Sequence, residues 1–198
     1  MSQTKSKNKI GLYFGSFNPI HIGHLAIANS IIENTDITQV WFVVSPQNPL
    51  KDQRTLLADH HRLQMVREAI DDNYNFRACD EEFHLPKPSY TSLTLTHISE
   101  KYPDKEFCLI MGSDNLCTFE KWRNYDYILS NYKIYVYPRP NYLGCGLEKH
   151  KNVSMVQAPM MDISSSYIRA CIKDGKSIKY IVPDSVVKYI DEMNFYKQ

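Results

Sequence analysis

The chain has 198 residues, enough for one domain with a sizeable core and cramped for two. Hydrophobic residues make up 43% and charged residues 23%, which excludes general disorder; the formal net charge of +1 argues against a protein built to grip nucleic acid. No apolar run approaches the ~20 residues that span a bilayer, so no membrane partner is expected.

The opening MSQTKSKNK is charged and has no apolar stretch, so no signal peptide is expected, and residues 1–8 read as a flexible tail. Ile10–Phe14 (IGLYF) then reads as a buried strand, followed by loop chemistry over Gly15–Ile20 (GSFNPI). From His21 to Ile32 the apolar residues recur at helical spacing. Val40–Val44 (VWFVV) is a second strand, rich in β-branched and aromatic residues. Ala58–Ile70 follows as a helix with Leu63, Val66 and Ile70 on one face. Phe76–Phe83 reads as a third strand and Ser89–Lys101 as a helix. Phe107–Met111 (FCLIM) is a clear strand, after which Asp114 is placed to cap a short helix. Tyr132–Tyr137 and Val153–Val156 are the last strands, with helices at Ser164–Lys173 and Pro183–Met193; residues 141–152 are the expected flexible loop.

Short, continuously apolar strands alternating with helices predict an α/β fold, a doubly wound parallel sheet with helices on both faces. Residues 9–198 form one domain in this reading, with the C-terminal helices (about 164–193) packed on it. Ligands of such sheets bind beyond the carboxyl ends of the strands. The loops after Phe14, Val44, Met111 and Tyr137 are therefore the places for chemistry. Five cysteines without a CxxC pair suggest neither a disulfide framework nor a zinc site, and a reducing cytoplasm fits.

The loop after the first strand reads Gly15-Ser16-Phe17-Asn18-Pro19-Ile20-His21-Ile22-Gly23-His24. Gly15 lets a backbone turn approach phosphates, and Ser16 adds a hydroxyl donor. His21 and His24, three apart at a helix start, share a face and can donate to polyphosphate oxygens, helped by the helix dipole. By itself such a pair is more often structural, or a partial metal site, than catalytic, but no third ligand stands nearby and no protein metal site is expected. Near the C-terminus stands Asp162-Ile163-Ser164-Ser165-Ser166-Tyr167-Ile168-Arg169. Its serines offer a cap and donors at a helix N-terminus, and Arg169 can fork onto phosphate oxygens; the alternative is an ordinary capped surface helix.

The first string resembles the (T/H)xGH signature of the nucleotidyltransferase superfamily, and its HIGH is shared with class I aminoacyl-tRNA synthetases. The second resembles the ISSTxIR motif of nicotinate/nicotinamide mononucleotide and pantetheine-phosphate adenylyltransferases; a synthetase would show a KMSKS-like lysine loop and a tRNA-binding domain. Pro88-Ser89-Tyr90-Thr91, Met111-Gly112-Ser113-Asp114-Asn115-Leu116 with Phe119 and Trp122, and Arg139-Pro140 resemble the PSYT, MGxDNLxxFxxW and RP segments of bacterial nicotinate-mononucleotide adenylyltransferases. The likeness runs from about residue 9 to 191.

That resemblance implies a Rossmann-like nucleotidyltransferase fold and transfer of the adenylyl group of ATP to nicotinate mononucleotide, giving deamido-NAD and pyrophosphate. His21, His24 and Arg169 would be catalytic. Gly15, Ser16, Phe17, Asn18, Ile163, Ser164, Ser165 and Ser166 would join them around ATP, with Mg²⁺ travelling with the triphosphate. Asn48, Lys51, Tyr90, Thr91, Gly112, Asp114, Trp122 and Arg139 would hold the mononucleotide. Trp122 either stacks on the pyridine ring or packs in the core, and Asp114 either accepts from ribose or caps a helix. The chain departs from the family's GGTFDP opening and shortens its PPHK-type loop to Asn48-Pro49-Leu50-Lys51. Rival readings are an amide or pantetheine-phosphate acceptor, and a nucleotide-binding regulator without turnover. Assembly into homo-oligomers is left open.

Overall fold

Six apolar segments become strands, and the computed structural model describes them within residues 8–46, 56–140, 142 and 144–197. The strands are β1 (Asn8–Gly15), β2 (Gln39–Val44), β3 (Phe76–Cys79), β4 (Lys105–Gly112), β5 (Lys133–Tyr137) and β6 (Val153–Met155). They form one sheet in the order β3-β2-β1-β4-β5-β6, with every neighbouring pair parallel. Around them lie the helices α1 (Ile22–Asn34), α2 (Asp59–Ile70), α3 (Thr91–Lys101), α4 (Ser113–Leu116), α5 (Tyr125–Asn131), α6 (Ser165–Lys173) and α7 (Asp184–Glu192).

Alternation along each strand splits the core into two layers, because successive side chains point to opposite faces. Tyr13, Val40, Phe42, Val44 and Ile110 face a layer closed by Ile27 and Ile31 of α1, Val66 of α2, Ile168 of α6 and Val186 of α7. Leu12, Trp41, Val43 and Leu109 face the other layer, closed by Leu95 and Ile98 of α3 and Ile128 of α5. Burying both faces is why the central strands β1, β2, β4 and β5 are apolar along most of their length, each buried apolar side chain contributing about 1.5–3 kcal/mol. The strand order reverses beside β1: β2 and β3 run to one side, β4 to β6 to the other. That switch point opens a crevice at the carboxyl ends of β1 and β4.

Four expectations change. Asn8 belongs to β1 rather than to a tail, where it pairs with Lys105. The third strand stops at Cys79 instead of Phe83, and Glu81–His84 form a 3₁₀ turn. The turn lets the nearly buried Glu81 carboxylate meet Lys101 at 2.7 Å and Tyr102 at 3.2 Å, which a continuing edge strand could not do. Asp114 does not cap α4; Gly112 occupies the cap and Asp114 lies in the first turn. The helix α5 was not foreseen, since seven residues with only Ile128 and Leu129 buried give too little periodicity. Within the expected loop 141–152, Leu147–Lys149 make a further 3₁₀ turn.

Candidate active site

The loop leaving β1 is shaped from beneath. Gly15 has no room for a side chain, as a Cβ there would stand 2.7 Å from the Phe17 ring. Phe17 adopts a left-handed backbone (φ 45°), unusual for a bulky residue. Its ring is buried edge-on against Tyr13, His24 and Phe42, and that packing holds the conformation. The Asn18–Pro19 peptide is cis. His21 then serves as N-cap residue of α1, and Ile22 N–H donates to the Ile181 carbonyl at 3.1 Å. The His21 and His24 rings stack with centroids 3.7 Å apart, and His21 backbone N–H donates to His24 Nδ1 at 3.3 Å. In its neutral form His24 therefore keeps its proton on Nε2, the outward donor.

The second string folds onto this loop from 145 or more residues away. Ser164 caps α6, its hydroxyl accepting from Tyr167 N–H at 3.2 Å. Ser165 Oγ donates to the Pro19 carbonyl at 2.9 Å, and Arg169 Nη1 to the Asn18 carbonyl at 2.8 Å. Arg169 Nη2 donates to Ser166 Oγ at 3.2 Å. Ile163 packs against the core. Two helix N-termini, α1 and α6, thus meet over one loop, a setting that favours an anion.

Across the crevice, β4 and β5 deliver Gly112, Asp114 and Arg139. A Cβ on Gly112 would fall 2.3 Å from Asp114 Oδ1 and 3.2 Å from Arg139 Cγ, so only glycine admits both groups. Arg139 N–H donates to the buried Ser113 hydroxyl at 2.9 Å, while its Nε stands 3.9 Å from Asp114 Oδ1. Tyr13 and Tyr137 hydroxyls, 3.2 Å apart, floor the space between the two sides. Farther along the same edge, Tyr90 and Thr91 begin α3, and the Arg123 guanidinium lies 4.7 Å from the centre of the Tyr90 ring. Trp122 packs edge-to-face on Phe119 and against the core.

Burial and the nearby Arg139 charge push the His21 imidazole down to about 4. His21 is therefore neutral at pH 7 and can act as a hydrogen-bonding group rather than a cation. Its Nδ1 is one of six buried side-chain polar atoms among the described residues that lack a hydrogen-bond partner. The others are Glu82 Oε2, Ser89 Oγ, Ser92 Oγ, Trp122 Nε1 and Arg139 Nε. Buried polar atoms are normally paired. Here the unpaired ones belong to the candidate-site residues His21, Trp122 and Arg139, or to the neighbourhood of the Pro88–Thr91 segment. That is the pattern of a site shaped for a polar ligand.

Comparison with known proteins agrees with this geometry. The cytidylyltransferase-like family model matches residues 12–171. A Flavobacterium johnsoniae protein named "Probable nicotinate-nucleotide adenylyltransferase" is 53% identical over 96% of this chain and 100% of its own length. A Cytophaga hutchinsonii protein of the same name is 53% identical over 95% of this chain and 98% of its own. The chain belongs to the nicotinate-nucleotide adenylyltransferase family. The fold agrees with Plasmodium falciparum nicotinic acid mononucleotide adenylyltransferase complexed with NaAD, at a TM-score of 0.81 and 23% identity over 96% of this chain and 97% of that one.

For this family member, the structure brings Gly15–Asn18, His21, His24, Ile163–Ser166 and Arg169 into one group, and places Gly112, Asp114 and Arg139 opposite. Phe17 and Asn18 face inward, Asn18 being 3% exposed, so neither side chain is presented to the crevice. Tyr90, Thr91 and Trp122 form a second group along the edge. Asn48 and Lys51 lie outside the described residues. Sequence reasoning missed Arg62, Glu82, Arg123 and Tyr196. Arg62 left a signal: it stands four residues before Val66, a charge on the apolar face of α2.

Proposed function

We propose that this chain joins the adenylyl group of ATP to nicotinate mononucleotide, forming deamido-NAD and releasing pyrophosphate. The carrying observation is the convergence of two distant strings, Asn18–His24 and Ser164–Arg169, into one anion-directed cradle opposite Arg139. Its named relatives are nicotinate-nucleotide adenylyltransferases.

The acceptor phosphate is already an anion at pH 7, so the chemistry needs positioning and charge stabilisation rather than a strong base. The acceptor phosphate oxygen attacks the α-phosphorus in line, the bond to the bridging oxygen breaks, and that oxygen leaves with pyrophosphate. The N-termini of α1 and α6 hold the polyphosphate. His24 Nε2–H and the Arg169 fork meet the charge that grows as pyrophosphate departs. Arg139 is placed for the mononucleotide phosphate and Asp114 for its ribose. Trp122 offers a ring edge and an unpaired Nε1–H toward the acceptor end. The start of α3 and Arg123 each add positive potential there, which supports an acid over an amide.

Mg²⁺ would travel with the triphosphate, held mostly by substrate and water. When bound it would neutralise phosphate charge. Two observations accompany the proposal of a cytoplasmic location. All five cysteines are free thiols, and no helix among the described residues is long and apolar enough to cross a membrane.

Mass spectrometry of the product made from ATP, Mg²⁺ and nicotinate mononucleotide tests the reading. A dinucleotide with loss of pyrophosphate is expected; ADP, or no new nucleotide, would overturn it.

A further inference from the structure

Arg62 is only 1% exposed, on the core-facing side of α2. Among the described residues, its hydrogen bonds go to backbone carbonyls. Nε donates to Leu57 O at 2.9 Å, Nη1 to Ser16 O and Ser45 O at 2.7 Å each, and Nη2 to Pro46 O at 3.3 Å. Ser16 belongs to the loop after β1, Ser45 and Pro46 to the loop after β2, and Leu57 to the entry of α2. One guanidinium therefore ties three segments that meet at the crevice. Asn18 closes the ring: its Oδ1 accepts from Leu57 N–H at 3.3 Å and from Tyr196 hydroxyl at 2.7 Å.

Burying a cation costs several kcal/mol in desolvation, and a well-packed apolar side chain often serves stability equally well. What an apolar residue cannot supply is the planar fork that fixes several carbonyls at once, and lysine supplies only a point charge. The segment so fixed, Ser16–Asn18, contains the left-handed Phe17 and provides the Asn18 carbonyl that orients Arg169.

We propose that Arg62 is a positioning residue for adenylyl transfer, touching no substrate and setting the Ser16–Asn18 backbone so that His21, His24 and Arg169 converge on the polyphosphate. This rests on the adenylyltransferase reading. The test uses the full chain as wild type, Arg62→Lys and Arg62→Ala, with folding followed by circular dichroism and active sites titrated before kinetics. Arg62→Lys should stay folded and show a KM for ATP raised about tenfold, since displacing a positioned group costs heavily. Arg62→Ala, if folded, should regain activity with added methylguanidinium and not with methylammonium. Folded Arg62→Lys with kcat and both KM values within about twofold of wild type would overturn the proposal. So would a loss of rate wholly explained by fewer folded molecules with KM unchanged, the signature of a merely structural role. ATP affinity by calorimetry carries the test independently of turnover. If wild type binds ATP but makes no dinucleotide, the functional reading fails. In that case a tenfold loss of affinity in Arg62→Lys still supports the positioning role, and equal affinity overturns it.

Discussion

The two ends of the crevice are built differently. At the phosphate end, loop and helix brace each other: Ser165 to Pro19, Arg169 to Asn18, Tyr196 to Asn18 and Arg62 to Ser16. At the acceptor end, the buried Ser92 Oγ and Trp122 Nε1 have no hydrogen-bond partner among the described residues. A braced cradle suits the step common to all acceptors, the stabilisation of charge on ATP. Unpaired polar groups suit discrimination, because a ligand that fails to pair them leaves their desolvation uncompensated.

The sharpest way to break this contrast is at the braced end. His24→Ala should lower kcat by about 10²–10³, the usual effect of removing one preorganised donor, while circular dichroism stays unchanged. Near-full activity would remove His24 from the cradle.

The electrostatics of that end predict a pH effect on stability. The folded His21 titrates at about 4 and the unfolded one at 6.5. Between those values the unfolded chain binds a proton that the folded chain refuses, so stability falls as pH drops from 6.5 towards 4. At pH 5 the difference is about 2 kcal/mol. Urea midpoints at pH 7 and pH 5 should separate less in His21→Gln than in wild type. Identical pH dependence would contradict the buried, neutral His21.

At the acceptor end, Trp122→Ala should raise the KM for the mononucleotide about tenfold, as loss of an aromatic contact does, and leave the KM for ATP near wild type. Equal effects on both would erase the distinction between the ends. The smallest change is expected for Tyr196→Phe, which removes the bond to Asn18 Oδ1. It should cost about 1 kcal/mol in thermal or urea unfolding. A neutral result would show that the remaining contacts of Asn18 hold it without Tyr196.

Much of the braced end was legible because its residues sit in two short strings whose chemistry is local: histidines at helical spacing, serines at a cap, an arginine one turn on. The central strands were equally legible, since burial on both faces makes them continuously apolar. What stayed hidden depends on contacts distant in sequence. Tyr196 reaches Asn18 across 178 positions, and Glu81 turns the chain out of β3 because Lys101 waits on α3. The neutrality of His21 depends first on its burial and then on Arg139, which no periodicity links to it. Asp114 was half read: its residue type suits a cap, but Gly112 takes that place to let Asp114 and Arg139 approach each other.

Initial rates of pyrophosphate release from ATP and Mg²⁺, with nicotinate mononucleotide and the corresponding amide run in parallel, test the central claim most directly. The account predicts release that depends on acceptor and strongly favours the acid. Equal use of the two, preference for the amide, or no release with either would contradict it.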